Sequence, residues 1–284
     1  MQRKPSRWTL TRRIGISVAA IAFLTLAAIA QQPSSKPKFG YQDTPMLPGG
    51  KWHVHDGTRP QPTIVTPGTS STQDAPGTAP SDATVLFDGK DLARWSDGKS
   101  GPARWKVEDG AIVIVPKSGS LVSKDQFSNF QLHLEFAEPT PPKGSDQGRG
   151  NSGILIFGLY EIQVLDCVDN PTYADGTVGA LYGQHPPLVN ASRKPGQWQV
   201  YDIIFTAPSF KPDGSVETPA SATILLNGVL VQNHEAFLGS VVWRDLAKYQ
   251  KNGPTKGPIV LQDHGDPVRF RNIWVREVGD DGSR

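Results

Sequence analysis

The chain has a single cysteine, Cys167, among its 284 residues, so no internal disulfide can hold the fold together. It also lacks long amphipathic helical runs. Only Gly239 to Tyr249 reads as a short helix, which excludes a helical bundle and a doubly wound α/β fold. No repeat period is present, so a solenoid or propeller is excluded. The formal charge of +2 rests on five basic residues within the first thirty, and without them the remainder carries −3. No basic stripe interleaved with aromatics is left to bind nucleic acid. What is abundant is glycine, 29 residues, and proline, 25 residues, the composition of a loop-rich β protein.

Arg3, Lys4, Arg7, Arg12 and Arg13 precede the apolar run Ile14 to Ala30, which closes on Ala28-Ile29-Ala30. Small residues at that spacing predict a signal peptide cleaved after Ala30, and so an exported protein, periplasmic or extracellular. An uncleaved anchor is the rival, but the Ala, Gly, Ser and Thr content of the run favours cleavage, with no stable membrane insertion afterwards. Residues 31–81 read as a Pro/Ser/Thr-rich linker too poor in large apolar side chains to form a core, with 31–50 and 66–81 lacking regular structure. A short segment near 51–62 reads as a docking element. Its Lys51-Trp52-His53-Val54-His55-Asp56 also has the His-x-His spacing of half a metal site.

Residues 82–284 read as one domain of short β-prone runs separated by turns. Gln131 to Phe136 sets Leu132, Leu134 and Phe136 on one face and His133 and Glu135 on the other, the pattern of a sheet packed on a partner sheet. Asn227-Gly228 is the strongest hairpin signal.

The most β-prone stretch is Gly150 to Asp166, GNSGILIFGLYEIQVLD. From Tyr160 its side chains alternate, so Glu161 and Gln163 share a face, and one bulged residue would bring Asp166 beside them. A strand that presents two carboxyls to a groove can supply the acid and the ionised partner of glycoside hydrolysis. The other reading is a strand whose polar residues face water. The following loop carries Asp169, Asn170 and Asp175, oxygen donors of the kind that hold Ca²⁺ as well as ordinary turn residues; Asp166, Asp169 and Asp175 are the metal candidates. Cys167 reads as a small buried apolar residue, since no base motif accompanies it.

Several motifs in order resemble one family: Val85-Leu86-Phe87-Asp88-Gly89-Lys90-Asp91-Leu92 with Trp95, Asn151-Ser152-Gly153, Tyr160 to Asp166, Gly179-Ala180-Leu181-Tyr182, Pro195-Gly196-Gln197-Trp198, Leu226-Asn227-Gly228, Gly257-Pro258-Ile259 with Leu261-Gln262 and His264-Gly265, and Phe270-Arg271-Asn272-Ile273. Together, over about residues 82 to 278, they resemble the 3-keto-disaccharide hydrolase domain. The resemblance implies a concanavalin A-like jelly-roll sandwich of two curved antiparallel sheets, a carbohydrate partner, and hydrolysis of glycosides oxidised at the 3-position. Carried over residue by residue, it implies catalytic roles for Glu161, His264 and Asp166, and substrate-binding roles for Gln163, Tyr182, Gln262, Arg271 and Asn151. Arg271 is expected to bond to Glu161, Asp166 or the substrate, sharing a strand face with Arg269 and Ile273.

The strand is also similar to the E-x-D-x-x-E strand of jelly-roll endoglucanases, with the middle acid replaced by Gln163. That replacement weakens ordinary retaining hydrolysis. A 3-ketone relaxes the demand, because it acidifies the proton at C2 and lets the glycosidic bond leave by elimination. An ordinary jelly-roll glycosidase and a non-catalytic carbohydrate-binding module remain the alternatives.

Overall fold

A computed structural model describes residues 39–279; the export segment read from residues 1–30 lies outside the described residues. The chain divides into two compact units, Met1–Gln61 and Pro62–Arg284. In the first, residues 39–61 form turns joined by isolated bridges, Tyr41 to Asp56 and Met46 to His53. The Asp56 carboxylate organises them. It accepts the Thr58 hydroxyl at 2.6 Å, the Thr58 and His53 amides at 2.8 and 3.2 Å, and Gln42 at 2.5 Å. Those bonds, Thr58 foremost, hold its carboxyl well below the usual range. His53 uses Nδ1 on the Thr44 carbonyl. Among the described residues no group of three His, Cys, Asp or Glu could hold a metal, so neither the His-x-His segment nor the trio Asp166, Asp169 and Asp175 is gathered into a site.

The second unit is an antiparallel sandwich with no α-helix among its described residues. One sheet runs in the order β13 (Val229–Ala236), β12 (Ser221–Leu226), β9 (Gln199–Thr206), β6 (Phe130–Ala137), β15 (Arg269–Glu277), β4 (Ala111–Val113), β3 (Lys106–Glu108), with β1 (Thr84–Phe87) also paired to β15. The other runs β2 (Trp95–Ser96), β5 (Leu121–Ser123), β14 (Ile259–Leu261), β7 (Ser152–Ile156), β8 (Tyr160–Val164). A small ribbon pairs β10 (Ser209–Phe210) with β11 (Val216–Thr218). Asn227 and Gly228, at φ 54° and 80°, make the expected tight turn between β12 and β13.

The core lies between the sheets. Leu132, Leu134 and Phe136 of β6 are fully buried in one cluster with Ile154 and Ile156 of β7 and Ile162 and Val164 of β8. Each such side chain contributes about 1.5–3 kcal/mol by leaving water. Phe205 of β9 packs edge-on against Phe157 and tilted against Tyr160 at centroid distances of 5.3 and 5.9 Å, and the Tyr201 hydroxyl donates to the Gln163 carbonyl at 2.7 Å, tying sheet to sheet.

Three expectations are revised here. Gly239 to Tyr249 is not a helix but a loop closed by a Ser240–Lys248 bridge. Residues 62–83 lack regular structure, as read for 66–81, yet they strap onto the eight-stranded sheet. Gln73 donates to the Trp198 carbonyl at 2.9 Å and accepts its amide at 2.7 Å, completing backbone bonds as a strand would. The strap seals the polar face of β6. The Ser71 hydroxyl donates to Glu135 at 2.5 Å, and the Thr72 carbonyl accepts from Arg271 at 2.6 Å.

Arg271 is the third revision. Asn272 sits at φ 49°, where β15 changes register against β6. That bulge breaks the alternation, so Ile273 enters the core while Arg271 and Asn272 both reach outward to Glu135, at 2.8 Å each. Arg271 therefore pairs with Glu135 and stacks on Trp198 at 4.2 Å, rather than joining Glu161 or Asp166.

Candidate active site

Because Tyr160, Ile162 and Val164 are committed to the core, the intervening Glu161 and Gln163 project from the outer face of the five-stranded sheet. There they line a cavity of about 460 Å³ with Gln147, Asn151, Tyr173, Tyr182, Trp243, Gln262 and His264. Six of the eight expected residues thus converge: Glu161, Gln163, Tyr182, Gln262, His264 and Asn151. Asp166 and Arg271 do not line it.

Backbone pairing explains the convergence. The free edge of β8 is covered by residues 179–182, through Gly179 to Gln163, Gln163 to Ala180 and Tyr182 to Glu161 at 3.1 Å each, which delivers Tyr182 beside Glu161. On the other side the Gln262 amide donates to the Gly153 carbonyl at 2.9 Å and the Ser152 hydroxyl to the Gln262 carbonyl at 2.7 Å. His264 stands at the tip of a turn in which the Asp263 carboxylate accepts the Gly265 amide at 3.0 Å and Asp266 accepts the Asn151 amide at 2.9 Å. Gly153 is required for space. A Cβ there would lie 2.5 Å from Glu161 Oε1, so the carboxyl rests over a position with no side chain.

Glu161 is only 6% exposed, and burial pushes its carboxyl up to about 7, against a smaller opposing effect from a Gln262 hydrogen bond. It is the sole carboxylate lining this cavity among the described residues. Gln163 is fixed by a network the sequence did not reveal. Its Nε2 donates to Gln147 Oε1 at 2.9 Å and to the Gly176 carbonyl at 3.2 Å, while Gln147 Nε2 donates to Thr172 at 2.8 Å. Gln163 Oε1 is left buried without a partner, as is Gln262 Oε1. Two carbonyl oxygens without donors beside a carboxyl raised by burial fit a ligand rich in hydroxyls.

Gln147 belongs to the loop PTPPKGSDQGRG, whose position is set by Arg149. Its guanidinium donates to Asp166 at 2.7 Å and to the carbonyls of Val168 and Asp169 at 2.8 and 3.3 Å. Val164 and Leu165 are both in the core, so the alternation does slip before Asp166 as expected. Its carboxylate then meets Arg149 instead of the groove, which makes Asp166 a positioning residue. Cys167 is buried, accepts the Val178 amide at 3.3 Å, and has its thiol pushed up to about 11 by burial, the state of an inert packing residue. The buried carboxyl of Glu138 is pushed up to about 8 by burial, but it does not line the cavity.

A family profile described as a 3-keto-alpha-glucoside-1,2-lyase-like domain matches residues 82–276, more than half of the chain. A 3-keto-disaccharide hydrolase of Bacteroides thetaiotaomicron is 26% identical over 242 residues, spanning 68% of this chain and 77% of that one. A solved structure of a candidate glycosyl hydrolase from Parabacteroides distasonis is 47% identical with a TM-score of 0.74, covering 83% of this chain and 100% of that one. A second candidate glycosyl hydrolase from that organism is 27% identical with a TM-score of 0.51, covering 69% and 99%.

Proposed function

This chain belongs to the 3-keto-alpha-glucoside-1,2-lyase-like domain family, and from that premise we propose that it is an exported enzyme cleaving glycosides already oxidised to a ketone at C3, by elimination and then hydration. The observation that carries the reading is that Glu161 is the sole carboxylate lining the cavity of about 460 Å³ among the described residues. Retaining and inverting glycosidases need two carboxyl groups across the scissile bond. Here the second expected acid, Asp166, is held by Arg149.

Elimination needs one base and one acid. The base removes the C2 proton, whose electrons form the C1–C2 double bond as the C1–O bond breaks, and the acid protonates the departing oxygen. Water then adds across the double bond, restoring a proton to C2 and placing a hydroxyl at C1. Glu161, with its carboxyl near 7, and His264, across the same cavity, divide these two proton transfers. The Oε1 atoms of Gln163 and Gln262 accept sugar hydroxyls, and the Tyr182 hydroxyl, which shares a hydrogen bond with Tyr173 at 2.7 Å, supplies a further polar contact to the sugar. No step is routed through a metal, because the described residues gather no ligand set for one.

The test is turnover of a 3-keto disaccharide beside its unoxidised parent. Cleavage of the keto sugar alone is expected. Cleavage of the parent at a similar rate would make the protein an ordinary glycosidase, and binding of either without turnover would make it a carbohydrate-binding module. Export is checked by sequencing the N-terminus of the secreted protein, expected at Gln31.

A further inference from the structure

We infer that the groove continues into a second subsite in which Trp243 is the platform for the sugar ring that leaves. The inference rests on the function proposed above and adds the recognition of the leaving group. A cavity of about 660 Å³ adjoins the one over Glu161 and shares Tyr173, Tyr182 and Trp243 with it. A ligand seated over Glu161 therefore extends over these three rings without leaving the surface.

Trp243 is 73% exposed, although a tryptophan ring is among the side chains with most to gain from burial. Its loop is nonetheless firmly held. The Val241 amide donates to the Leu159 carbonyl at 2.8 Å, in the turn that leads into β8. Gln184 accepts the Leu238 amide at 2.7 Å and donates to the Gly239 carbonyl at 3.3 Å. Tyr249 donates to the Phe237 carbonyl at 3.0 Å at the far foot. Gly239, at φ 147°, has the Lys248 backbone so close that a Cβ would lie 2.2 Å from it. At the tip Arg244 adopts φ 60°, unusual for a residue with a side chain, and its guanidinium lies 5.4 Å from the Trp243 ring. A loop held at both feet thus presents an exposed aromatic ring to the groove.

The rim decides what kind of ring fits. Asp175, Asp245 and Arg244 border the same cavity and supply acceptors and a donor around the aromatic floor. A pyranose has an apolar face of C–H groups for Trp243 and hydroxyls at its edge for the charged rim. An aryl group would use the floor and leave the rim unused.

The test compares kcat/KM of wild type, Trp243→Phe and Trp243→Ala on three 3-keto glycosides that differ only in the leaving group: a hexose, a methyl group and a nitrophenyl group. Trp243→Ala is expected to lose about tenfold more on the hexose-linked substrate than on the methyl glycoside, mainly through KM, with Phe restoring most of the loss. Equal losses on hexose and methyl substrates would place Trp243 on the reacting ring, and a selective loss on the nitrophenyl glycoside would give the subsite to an aromatic group; either overturns the inference. If wild type turns over none of them, the function proposed above fails. The subsite is then read from calorimetric binding of the unoxidised disaccharide and its methyl glycoside to wild type and Trp243→Ala, where equal affinity loss for the two ligands overturns it.

Discussion

Glu161 and Glu135 are both buried glutamates, each on a strand and each on the outward face of its sheet, yet their carboxyls end on opposite sides of the ordinary value although burial raises both. Glu135 is met by Arg271, Asn272, His133 and Ser71 beneath the strap, and these bonds overcome burial to bring its carboxyl down to about 2. Glu161 faces a cavity in which Gln262 alone opposes burial, and its carboxyl rises to about 7. The difference is the supply of partners and not the depth of burial. Glu138 adds a further condition: it too is raised, to about 8, but it does not line the cavity over Glu161, so a perturbed acid becomes a candidate for catalysis only where a ligand can reach it.

The comparison is broken most strongly by exchanging charge for amide at each glutamate. Glu135→Gln leaves Arg271 buried without its counter-charge, and denaturant unfolding should show a loss of about 3–5 kcal/mol while turnover per folded molecule stays within about twofold. Glu161→Gln should do the reverse. Turnover falls at least about a hundredfold with the melting temperature unchanged or higher, and the limb of the pH profile near 7 disappears. A rising limb in wild type assigns Glu161 as the base, a falling one as the acid.

Smaller effects sharpen the contrast. Gly153→Ala should push the Glu161 carboxyl aside without unfolding the protein, because the obstructing atom ends a flexible side chain; a loss of about ten- to a hundredfold in kcat is expected, with stability nearly unchanged. Beneath the strap, burial opposes charge on His133, but its bonds to Asp202 and Glu135 outweigh that and raise it from 6.5 to about 9. A raised histidine stabilises fully below pH 6.5 and loses its contribution as pH rises through 9. Stability of wild type relative to His133→Gln should therefore fall by on the order of 1–3 kcal/mol across that window. Parallel pH curves for the two would remove His133 from the cluster.

Much of this fold was legible because alternation survives in long strands. Gln131 to Phe136 and Tyr160 to Val164 declared their core faces, and Asn227-Gly228 declared its turn. Strands β2, β5, β10 and β11 have two or three residues each, too few to show a period. The groove side of β8 was readable for Glu161 and Gln163. Gln147 and Trp243 were not, since they reach the site from loops whose course depends on remote anchors at Arg149 and Leu159. Arg271 was misplaced because a single bulge at Asn272 reverses the face of the residues around it. The strap escaped notice because a Pro/Ser/Thr-rich composition does not disclose that Ser71 and Gln73 have partners more than sixty residues away.

The most direct measurement is the fate of the proton at C2. A 3-keto disaccharide is cleaved in D₂O and the product is examined by NMR at partial conversion, beside an enzyme-free control that accounts for exchange next to the ketone. Elimination followed by hydration predicts solvent deuterium at C2 of the 3-keto sugar formed by wild type, with product formation and labelling lost together in Glu161→Gln. Product that keeps its original proton at C2, from a substrate that turns over no more slowly when C2 carries deuterium, would show that the bond is cleaved without elimination, and would contradict the account.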